Sequence, residues 1–456
     1  MKSTLFDLQP WLTSAVASSD AAFDGVSTDS RKIAAGNLFV ALRGERFDAH
    51  AFLPQVAESG AAAVVVDRPI AGLSIPVLVV PDTRIALAEI ARHWRRQFSL
   101  PVIGVTGSNG KTTVKEMIAA ILAAALDQGQ YLATRGNLNN DIGVPLTILR
   151  LAQGCRAAVI ELGMNHPGEI ALLADIAQPT VGLVNNAQRE HQEFMASVEA
   201  VAKENGAVIS RLPANGIAVF PADDTYTALW RGYAEAVGRR TVVTFGLSPD
   251  ADVSGSVQTL DFGSDLDIKT AEHRIAVRLS AAGIHNVRNA LAAAACTLAI
   301  GITPDAVKRG LESFAPVAGR LQRKTGSSGC ILIDDTYNAN PDSVRAAIEV
   351  LANAPAPRVL VLGDMGEVGS DGKKFHEEIG AYARGRGIEH MLTLGELARH
   401  SSSAFGARGK HYDEIEPLQV ALDAMLTPTG AVLVKGSRFM KMERVVQHLL
   451  GPQGVN

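Results

Sequence analysis

The chain has 456 residues, of which 47% are hydrophobic and 20% are charged. This composition is typical of folded globular domains and excludes a largely disordered chain, and the length predicts about three domains of ordinary size. The net charge of −4 excludes a broad basic surface of the kind that binds nucleic acid or anionic lipid, so the expected partners are small-molecule substrates.

Residues 1–83 are predicted to form a small amino-terminal α/β domain. Short apolar runs such as NLFVAL, AAAVVV and PVLVVP alternate with turn residues, and one helical stretch is predicted near residues 51–59. Residues 84–98 carry apolar side chains at helical spacing. We expect this helix to link the first domain to the next one.

Residues 84–314 are predicted to form a central domain with a parallel sheet. From Leu100 the pattern runs strand, glycine-rich turn, helix and strand, in LPVIGVTG, VKEMIAAILAAAL, AAVIELG and PTVGLVNN. A sheet of this kind is covered by helices on both faces. Between residues 241 and 280 the runs alternate in the manner of antiparallel strands, so a small meander is expected to close the domain.

Residues 315–456 are predicted to form a third domain, which begins near the segment APVAGRLQR. The runs CILIDDTYN, PDSVRAAIEVLANA, RVLVLGDMGE and FHEEIGAYARGRG again alternate strand and helix. This pattern predicts a doubly wound, Rossmann-like sheet. The expected fold class is therefore α/β, with a small first domain, a central phosphate-loop domain and a doubly wound third domain.

The amino-terminal residues, the apolar stretches and the cysteines bear on localisation. The start, MKSTLFDLQPWL, lacks a basic region followed by an apolar core, so no secretory signal is predicted. The longest apolar stretches, residues 119–126 and 290–302, are shorter than the ~20 residues that span a bilayer and are expected to be buried helices. Three widely spaced cysteines, expected in the core, fit a reducing compartment. We expect a cytoplasmic protein without membrane insertion, and a monomer.

A phosphate-binding loop is predicted at Thr106–Thr113, TGSNGKTT, because the segment follows an apolar strand and opens a long helix. Its backbone N–H groups can surround phosphate oxygens at a helix N-terminus. Lys111 can reach the β and γ phosphates, and the Thr112 hydroxyl can bind Mg²⁺. Val105 stands where the usual spacing has glycine, so the loop is of a shorter type. The predicted nucleotide-binding residues of the loop are Gly107, Ser108, Asn109, Gly110, Lys111, Thr112 and Thr113.

Two side chains that follow neighbouring strands are candidate metal ligands. Glu161 ends the strand AAVIEL, at the edge of a parallel sheet where ligands bind, and a carboxylate suits Mg²⁺. His191 follows the next strand and could bind a second cation, although a single histidine in a polar loop is more often solvent-exposed. The sequence therefore favours a magnesium site formed by Thr112 and Glu161, and leaves His191 open as a ligand of a second cation.

Further polar residues are candidates for binding. The amide of Asn289 could contact an adenine edge, or the asparagines there could only cap a helix. Arg320 offers a cation for a carboxylate or phosphate, or a solvated charge. In the third domain a polar cluster stands between a strand and a helix that begins at Pro341, and it either binds a ligand or caps the helix. The cluster consists of Asp335, Tyr337, Asn338 and Asn340.

Taken together, these segments resemble the Mur ligase family over essentially the whole chain. The resemblance is carried in order by STDSRKIAAGNLFVAL, RGNLNNDIGVPLT, ELGMNHPGEI, GIHNVRNALAA, DDTYNANPDSVRAA, LGDMGEVG and VKGSR. Within the family the chain is most similar to the members that add D-alanyl-D-alanine to UDP-N-acetylmuramoyl-tripeptide. The resemblance implies ATP and Mg²⁺ as cofactors, an acyl phosphate intermediate, and a pentapeptide product used in peptidoglycan synthesis.

The resemblance also implies a role for each domain. The first domain would hold the uridine nucleotide end of the substrate, the central domain ATP, and the third domain D-alanyl-D-alanine. Lys111, Glu161 and His191 would be the catalytic residues, which act on the transferring phosphoryl group. Inward movement of the third domain would exclude water from the acyl phosphate. The residues implied for the nucleotide are Asn289, Arg320 and Asp335, and those implied for the substrates are Ser27, Asp29, Ser30, Arg31, Asn137, Asn140, Tyr337, Asn338 and Asn340.

One departure from the family pattern concerns residues 201–208, VAKENGAV. Asn205 stands where the family generally has a carbamylated lysine, and Ala207 stands where it usually has glutamate. Lys203, two residues earlier, is expected on another face of the helix. A different ligand or water is therefore expected to support a second cation.

Two other functions remain open from the sequence. One is another amide ligase of the same build, such as a folylpolyglutamate or a diaminopimelate-adding ligase, although the DNPR motif of the latter is absent. The other is a nucleotide-driven switch, which would hydrolyse ATP slowly and gain nothing from an amine. Whether the third residue of the accepted peptide is diaminopimelate or lysine is also open.

Overall fold

The computed structural model describes residues 1–45, 47–190 and 192–451, and these form three consecutive α/β units, each with its own main sheet. The expected class, α/β with several parallel-sheet domains, is observed. In the described part of the chain, none of the helices has both the length and the apolar character that crossing a membrane requires. The apolar stretches at 119–126 and 290–302 lie largely in buried helices, as predicted.

The first unit has a mainly parallel sheet. Its elements are β1 (Lys2–Thr4), α1 (Leu5–Leu8), β2 (Val16–Ala17), β3 (Ala22–Asp24), β4 (Val26–Ser27), β5 (Leu38–Val40), α2 (Leu53–Glu58), β6 (Ala63–Val66), β7 (Val77–Val79) and α3 (Thr83–Arg95), with 3-10 helices at Gln9–Trp11, Ser30–Lys32 and Ala49–Phe52. The strand order is β2-β7-β6-β5-β4, and β1 pairs separately with β3. Helix α3, predicted from the spacing at 84–98, runs from this sheet onto the central unit, where the Arg95 guanidinium donates to the Ala177 carbonyl at 3.0 Å.

The central unit contains the longest sheet. Its elements are β8 (Val102–Thr106), α4 (Lys111–Ala125), β9 (Tyr131–Ala133), α5 (Gly143–Ile148), β10 (Ala157–Glu161), α6 (Glu169–Ala177), β11 (Val181–Val184), α7 (Val198–Ser210), β12 (Ile217–Pro221), α8 (Thr227–Glu235), β13 (Thr241–Gly246), β14 (Val253–Thr259), β15 (Ser264–Lys269), β16 (Arg274–Leu279), α9 (Ile284–Ala299) and α10 (Pro304–Ser313). The strand order is β16-β15-β14-β13-β12-β11-β8-β10-β9.

Strand direction in this sheet decides where the site lies. Strands β9 to β14 are parallel, and only β14, β15 and β16 pair antiparallel. The predicted antiparallel meander is therefore confirmed for β14, β15 and β16. It is wrong for β13, which pairs parallel with β12 because helix α8 connects the two strands. Because β8 lies between β10 and β11, the residues that follow these three strands meet at one edge.

Apolar layers cover both faces of the central sheet. Successive residues of β8 point into different cores, with Val102 in one and Ile103 in the other. Helices α4, α9 and α10 pack on one face. A Cβ on Gly310 would lie 2.3 Å from Ile121 Cα, so only glycine allows α10 to approach α4 this closely. This packing holds the N-terminus of α4 at the sheet edge.

The third unit is doubly wound. Its elements are β17 (Gln322–Thr325), β18 (Ile331–Asp335), α11 (Pro341–Ala352), β19 (Arg358–Gly363), α12 (Gly372–Gly385), β20 (His390–Leu394), α13 (Arg399–Phe405), β21 (Gly409–Tyr412), α14 (Ile415–Asp423), β22 (Ala431–Lys435) and α15 (Glu443–Leu450), with 3-10 helices at Gly369–Asp371 and Arg438–Met440. The order is β17-β18-β22-β19-β20-β21, parallel except for β17. Cys296 and Cys330 are buried, but Cys155 is partly exposed, so the core prediction was wrong for that thiol.

Candidate active site

The predicted phosphate loop connects β8 to α4 and has the backbone that such a loop requires. Gly107 has φ +131° and Gly110 has φ +82°, positive values that residues with a Cβ atom rarely adopt. A Cβ on Gly107 would lie 2.9 Å from Asn185 Cβ, and one on Gly110 would lie 2.5 Å from Asn289 Oδ1. The glycines therefore form a tight cradle at the N-terminus of α4, which fits a phosphate chain.

A chain of buried amides supports this loop. Asn185 Nδ2 donates to the Asn109 carbonyl at 2.8 Å and to Asn289 Oδ1 at 2.9 Å. Asn289 Nδ2 donates in turn to Asn286 Oδ1 at 3.0 Å. The Asn109 N–H donates to Asn186 Oδ1 at 2.9 Å. Asn289 thus helps to hold the loop, while its predicted nucleotide contact stays a prediction.

The phosphate-loop lysine is held by an acidic residue that was not predicted from the sequence. Lys111 Nζ donates to Glu190 Oε1 at 2.7 Å and to the carbonyls of Gly107 and Ser108 at 2.5 and 3.2 Å. Glu190 is 7% exposed. The available signal was its place directly before His191, which lies outside the described residues. The predicted metal role of His191 therefore stays a prediction.

Glu161 lies at the predicted edge of the sheet, next to the Thr112 hydroxyl. The carboxylate is 2% exposed, and its Oε1 accepts hydrogen bonds from Thr112 Oγ1 at 3.1 Å and Asn139 Nδ2 at 2.8 Å. Within the described ranges no hydrogen-bond partner reaches its buried Oε2. A buried carboxylate oxygen without a donor, beside a hydroxyl, fits a magnesium ligand set.

The protein alone does not supply a complete metal cage. Across residues 1–45, 47–190 and 192–451, no group of three or more His, Cys, Asp or Glu side chains is arranged to hold a metal ion. Magnesium in nucleotide enzymes is usually held by one or two side chains together with phosphate oxygens and water. The pair of Thr112 and Glu161 fits that arrangement.

Asn205, which stands where the family generally has a lysine, contacts the phosphate loop. Asn205 is 1% exposed, and its Oδ1 accepts hydrogen bonds from the Thr106 hydroxyl at 2.5 Å and from the Gly107 N–H at 3.0 Å. Lys203 points away on the exposed side of α7 and pairs with Glu199 at 2.6 Å. Asn205 therefore holds the base of the phosphate loop, and Lys203 lies on another face of the helix, as expected.

The third unit meets the phosphate loop directly. Asn340 caps α11, since its Oδ1 accepts from the Ser343 N–H at 2.8 Å, and its Nδ2 also donates to Asn109 Oδ1 at 2.9 Å. Arg189, in the loop after β11, donates to Asp342 at 2.6 Å and to Glu378 at 2.7 Å. The capping alternative is thus realised at Asn340, and the same side chain contacts the loop.

The end of β18 is organised by a buried ion pair. Asp335 Oδ2 accepts from Lys435 Nζ at 2.6 Å, and Asp335 Oδ1 accepts from the Leu321 N–H at 3.1 Å. The Arg320 guanidinium stacks over the Tyr337 ring, 4.1 Å from its centroid. The pKa of the nearby His285 is lowered to about 4, chiefly by burial, while the charge of Asp335 opposes this shift and that of Lys435 adds to it.

One cavity of about 930 Å³ brings most of these groups together between the central and third units. Three residues that were not predicted from the sequence, Arg84, His166 and Glu190, also line it. The predicted residues that line it are Ser108, Asn109, Gly110, Lys111, Thr112, Thr113, Asn140, Glu161, Asn289, Arg320, Asp335, Tyr337, Asn338 and Asn340. Of the remaining predicted residues that the structure describes, Gly107, Asn137, Ser27, Asp29, Ser30 and Arg31 are not among the lining residues.

The predicted substrate residues of the first unit form a separate turn after β4. Asp29 accepts from the Arg31 backbone N–H at 3.1 Å and from its Nε at 2.9 Å. These hydrogen bonds lower the pKa of Asp29 to about 2. The Asp29 N–H donates to the Ser27 hydroxyl at 3.2 Å. The turn is preorganised, and its role toward a nucleotide stays a prediction.

Fold and site together define a nucleotide-dependent α/β enzyme whose phosphate loop faces a second domain across one cavity. Family models match in chain order: "Mur ligase family, catalytic domain" at residues 22–95, "Mur ligase middle domain" at 105–297, and "Mur ligase, glutamate ligase domain" at 319–438. These matches cover most of the chain.

Individual relatives agree with the family models. The chain is 42% identical over 452 residues, 98% of each protein, to UDP-N-acetylmuramoyl-tripeptide--D-alanyl-D-alanine ligase of Escherichia coli K12. Its fold is similar to MurF from Acinetobacter baumannii, with a TM-score of 0.91, 34% identity and 99% coverage of both chains. It is also similar to the MurF ligase from Thermotoga maritima in complex with ADP, with a TM-score of 0.82, 28% identity, and coverage of 93% and 97%. The chain belongs to the Mur ligase family and is an ATP-dependent ligase that joins a carboxylate to an amine.

Proposed function

We propose that the enzyme adds D-alanyl-D-alanine to UDP-N-acetylmuramoyl-tripeptide, producing UDP-N-acetylmuramoyl-pentapeptide, ADP and phosphate for peptidoglycan synthesis. The observation that carries this proposal is the match over 98% of both chains to an enzyme named for these substrates. The geometry supports it, because one cavity joins the phosphate loop to a polar strand end of the third domain.

The first step is phosphoryl transfer. The terminal carboxylate of the tripeptide attacks the γ-phosphorus of ATP, a new C–O–P linkage forms, and the bond to the ADP oxygen breaks. Lys111 and the backbone N–H groups of the loop would contact phosphate oxygens and offset their charge. Thr112 and Glu161 would hold Mg²⁺, which supplies further charge neutralisation when bound.

The second step is amide formation. The amine of D-alanyl-D-alanine attacks the acyl carbon, a tetrahedral intermediate forms, the amine loses a proton, and phosphate leaves. Tyr337, Asn338 and Asn340 are proposed to bind the dipeptide, and Arg320 and Asp335 to contact the nucleotide. The contact between Asn340 and Asn109 places the third domain against the loop, where it would exclude water from the acyl phosphate.

The remaining assignments are proposals of the same kind. The uridine nucleotide end of the substrate would bind the first domain near the turn at Ser27–Arg31. Asn137 and Asn140 would contact the peptide, and His191 would bind a second cation. We propose that the enzyme acts as a cytoplasmic monomer on small-molecule substrates, with domains bounded near residues 83 and 314.

The test is phosphate release from ATP and Mg²⁺ with the tripeptide substrate, measured with and without D-alanyl-D-alanine. We expect release to require both substrates and to be abolished in Lys111→Ala, while Lys203→Ala on the exposed side of α7 retains it. Equal phosphate release with and without the dipeptide would contradict the proposal and indicate a nucleotide switch. Tripeptides ending in diaminopimelate or lysine, assayed in parallel, identify the accepted third residue.

A further inference from the structure

The ammonium group that is expected to meet the β and γ phosphates is directed toward the protein. Lys111 Nζ contacts Glu190 Oε1 at 2.7 Å and two loop carbonyls, those of Gly107 at 2.5 Å and Ser108 at 3.2 Å. Glu190 is 7% exposed, and both Glu190 and Lys111 line the cavity. A buried carboxylate is therefore the counter-ion of the phosphate-binding lysine.

Nucleotide binding changes the charge around this carboxylate. The Lys111 ammonium has three N–H donors and contacts three protein oxygens, so it has to release at least one contact to donate to phosphate oxygens. Release of the Glu190 contact removes a cation from the carboxylate. The same event brings anionic oxygens toward Glu190. Whatever other contacts Glu190 makes, its surroundings become more negative, and in a site that excludes water this is unfavourable without a compensating cation.

We propose that Glu190 is a cation ligand that exchanges Lys111 for a divalent cation when the nucleotide binds. Carboxylate oxygen is a ligand that Mg²⁺ prefers, and the exchange keeps the local charge balanced. Glu161 has other neighbours, Thr112 and Asn139, so the two carboxylates reach the phosphate loop at different residues. The inference rests on the proposed function, because it requires a triphosphate at the loop.

The test is the dependence of nucleotide affinity on magnesium. The Kd of a non-hydrolysable ATP analogue is measured in EDTA and in saturating Mg²⁺, and the ratio of the two values is the magnesium enhancement. Glu190→Gln is expected to reduce this enhancement by about tenfold or more, because the cation loses a charged ligand. In EDTA the same variant is expected to bind the analogue more tightly than the wild type, because Lys111 no longer has an ionic partner.

A matched control removes a different carboxylate from the same cavity. Glu169 also lines the cavity, but it accepts hydrogen bonds from the Asn165 and His166 N–H groups at 2.6 and 3.1 Å. Glu169→Gln should therefore keep the magnesium enhancement within about threefold of the wild type. Glu190→Asp, which retains the charge, should keep most of the enhancement.

Several results would overturn the role of Glu190. An unchanged magnesium enhancement in Glu190→Gln would contradict it. An equal loss of the enhancement in Glu190→Gln and Glu190→Asp would also contradict it, because the effect would then depend on side-chain packing and not on charge. Thermal unfolding verifies that each variant is folded, and glutamine can still accept a hydrogen bond from Lys111. Failure of the wild type to bind the analogue at all would contradict the proposed function, and not the role of Glu190 within it.

Discussion

Arg189 and Asp342 join the central and third domains through four hydrogen bonds, among them Arg189 Nη2 to Oδ1 at 2.6 Å and the Arg189 backbone N–H to Oδ2 at 2.9 Å. Arg189 Nη1 also donates to Glu378 Oε2 at 2.7 Å. Burial acts against the charged form, but the hydrogen bonds to Asp342 and Glu378 raise the pKa of Arg189 above its ordinary value. This bidentate, charged contact holds the third domain against the phosphate loop.

Removing this contact should weaken catalysis by loosening domain closure. We expect Arg189→Ala to lower kcat/KM for D-alanyl-D-alanine by about 10- to 100-fold, equivalent to about 1.4 to 2.8 kcal/mol. Arg345→Ala is the matched control, because Arg345 binds the same Glu378 at 3.0 Å but lies within the third domain. Steady-state kinetics check the prediction, and equal losses in the two variants would argue against an interdomain role.

Glu161→Gln should separate magnesium use from nucleotide binding. The substitution keeps the size of the side chain but removes the charge beside Thr112. We expect kcat to fall about 100-fold and the Mg²⁺ concentration for half-maximal phosphate release to rise about tenfold or more. Affinity for ADP in EDTA should change little. If the magnesium requirement is the same as in the wild type, Glu161 is not a ligand.

Asn205→Ala should destabilise the base of the phosphate loop. It removes the side-chain acceptor of the Thr106 hydroxyl and the Gly107 N–H, and leaves the hydroxyl only the Asn205 carbonyl at 3.5 Å. A buried donor left without a partner costs about 1 to 3 kcal/mol. Lys203→Ala, on the exposed side of the same helix, should change stability by less than about 0.5 kcal/mol. Urea unfolding of both variants tests this, and equal stabilities would contradict the structural role of Asn205.

His285 should make stability depend on pH. Its folded pKa is about 4, below the ordinary value of 6.5, so between these two values the unfolded chain binds a proton that the folded protein does not. Stability therefore falls as pH drops through this window. Between pH 7 and pH 5, the free energy of unfolding of His285→Gln should fall by about 1 to 2 kcal/mol less than that of the wild type. Urea unfolding at the two pH values measures this difference, with His273→Gln at an exposed site as a control that should behave like the wild type. A similar loss of stability in the wild type and both variants would refute the prediction.

The elements and side chains whose positions depend on local residue patterns could be predicted from the sequence. Strand β8, the glycine loop and helix α4 follow from hydrophobic spacing and a motif, and β10 lies beside β8 in a parallel sheet. The carboxyl-edge rule therefore correctly placed Glu161 near Thr112. The direction of β13 was missed because alternating apolar residues do not reveal whether the connecting segment is a turn or a helix.

Contacts between domains could not be derived from the sequence. Arg189 and Asp342 are 153 positions apart, and their meeting depends on how two separately folded sheets dock. Glu190 was overlooked because an acidic residue in a polar loop is normally solvated, and nothing local indicates that it is buried against Lys111. Asn205 was compared with a family lysine, but its hydrogen bonds to Thr106 and Gly107 require the packed position of α7.

The central claim is ligation through an acyl phosphate, and an isotope measurement tests it most directly. The tripeptide substrate is labelled with ¹⁸O in its terminal carboxylate and incubated with ATP, Mg²⁺ and D-alanyl-D-alanine. We predict UDP-N-acetylmuramoyl-pentapeptide by mass, and one ¹⁸O atom transferred to each phosphate released. Unlabelled phosphate, or phosphate without pentapeptide, would contradict the account.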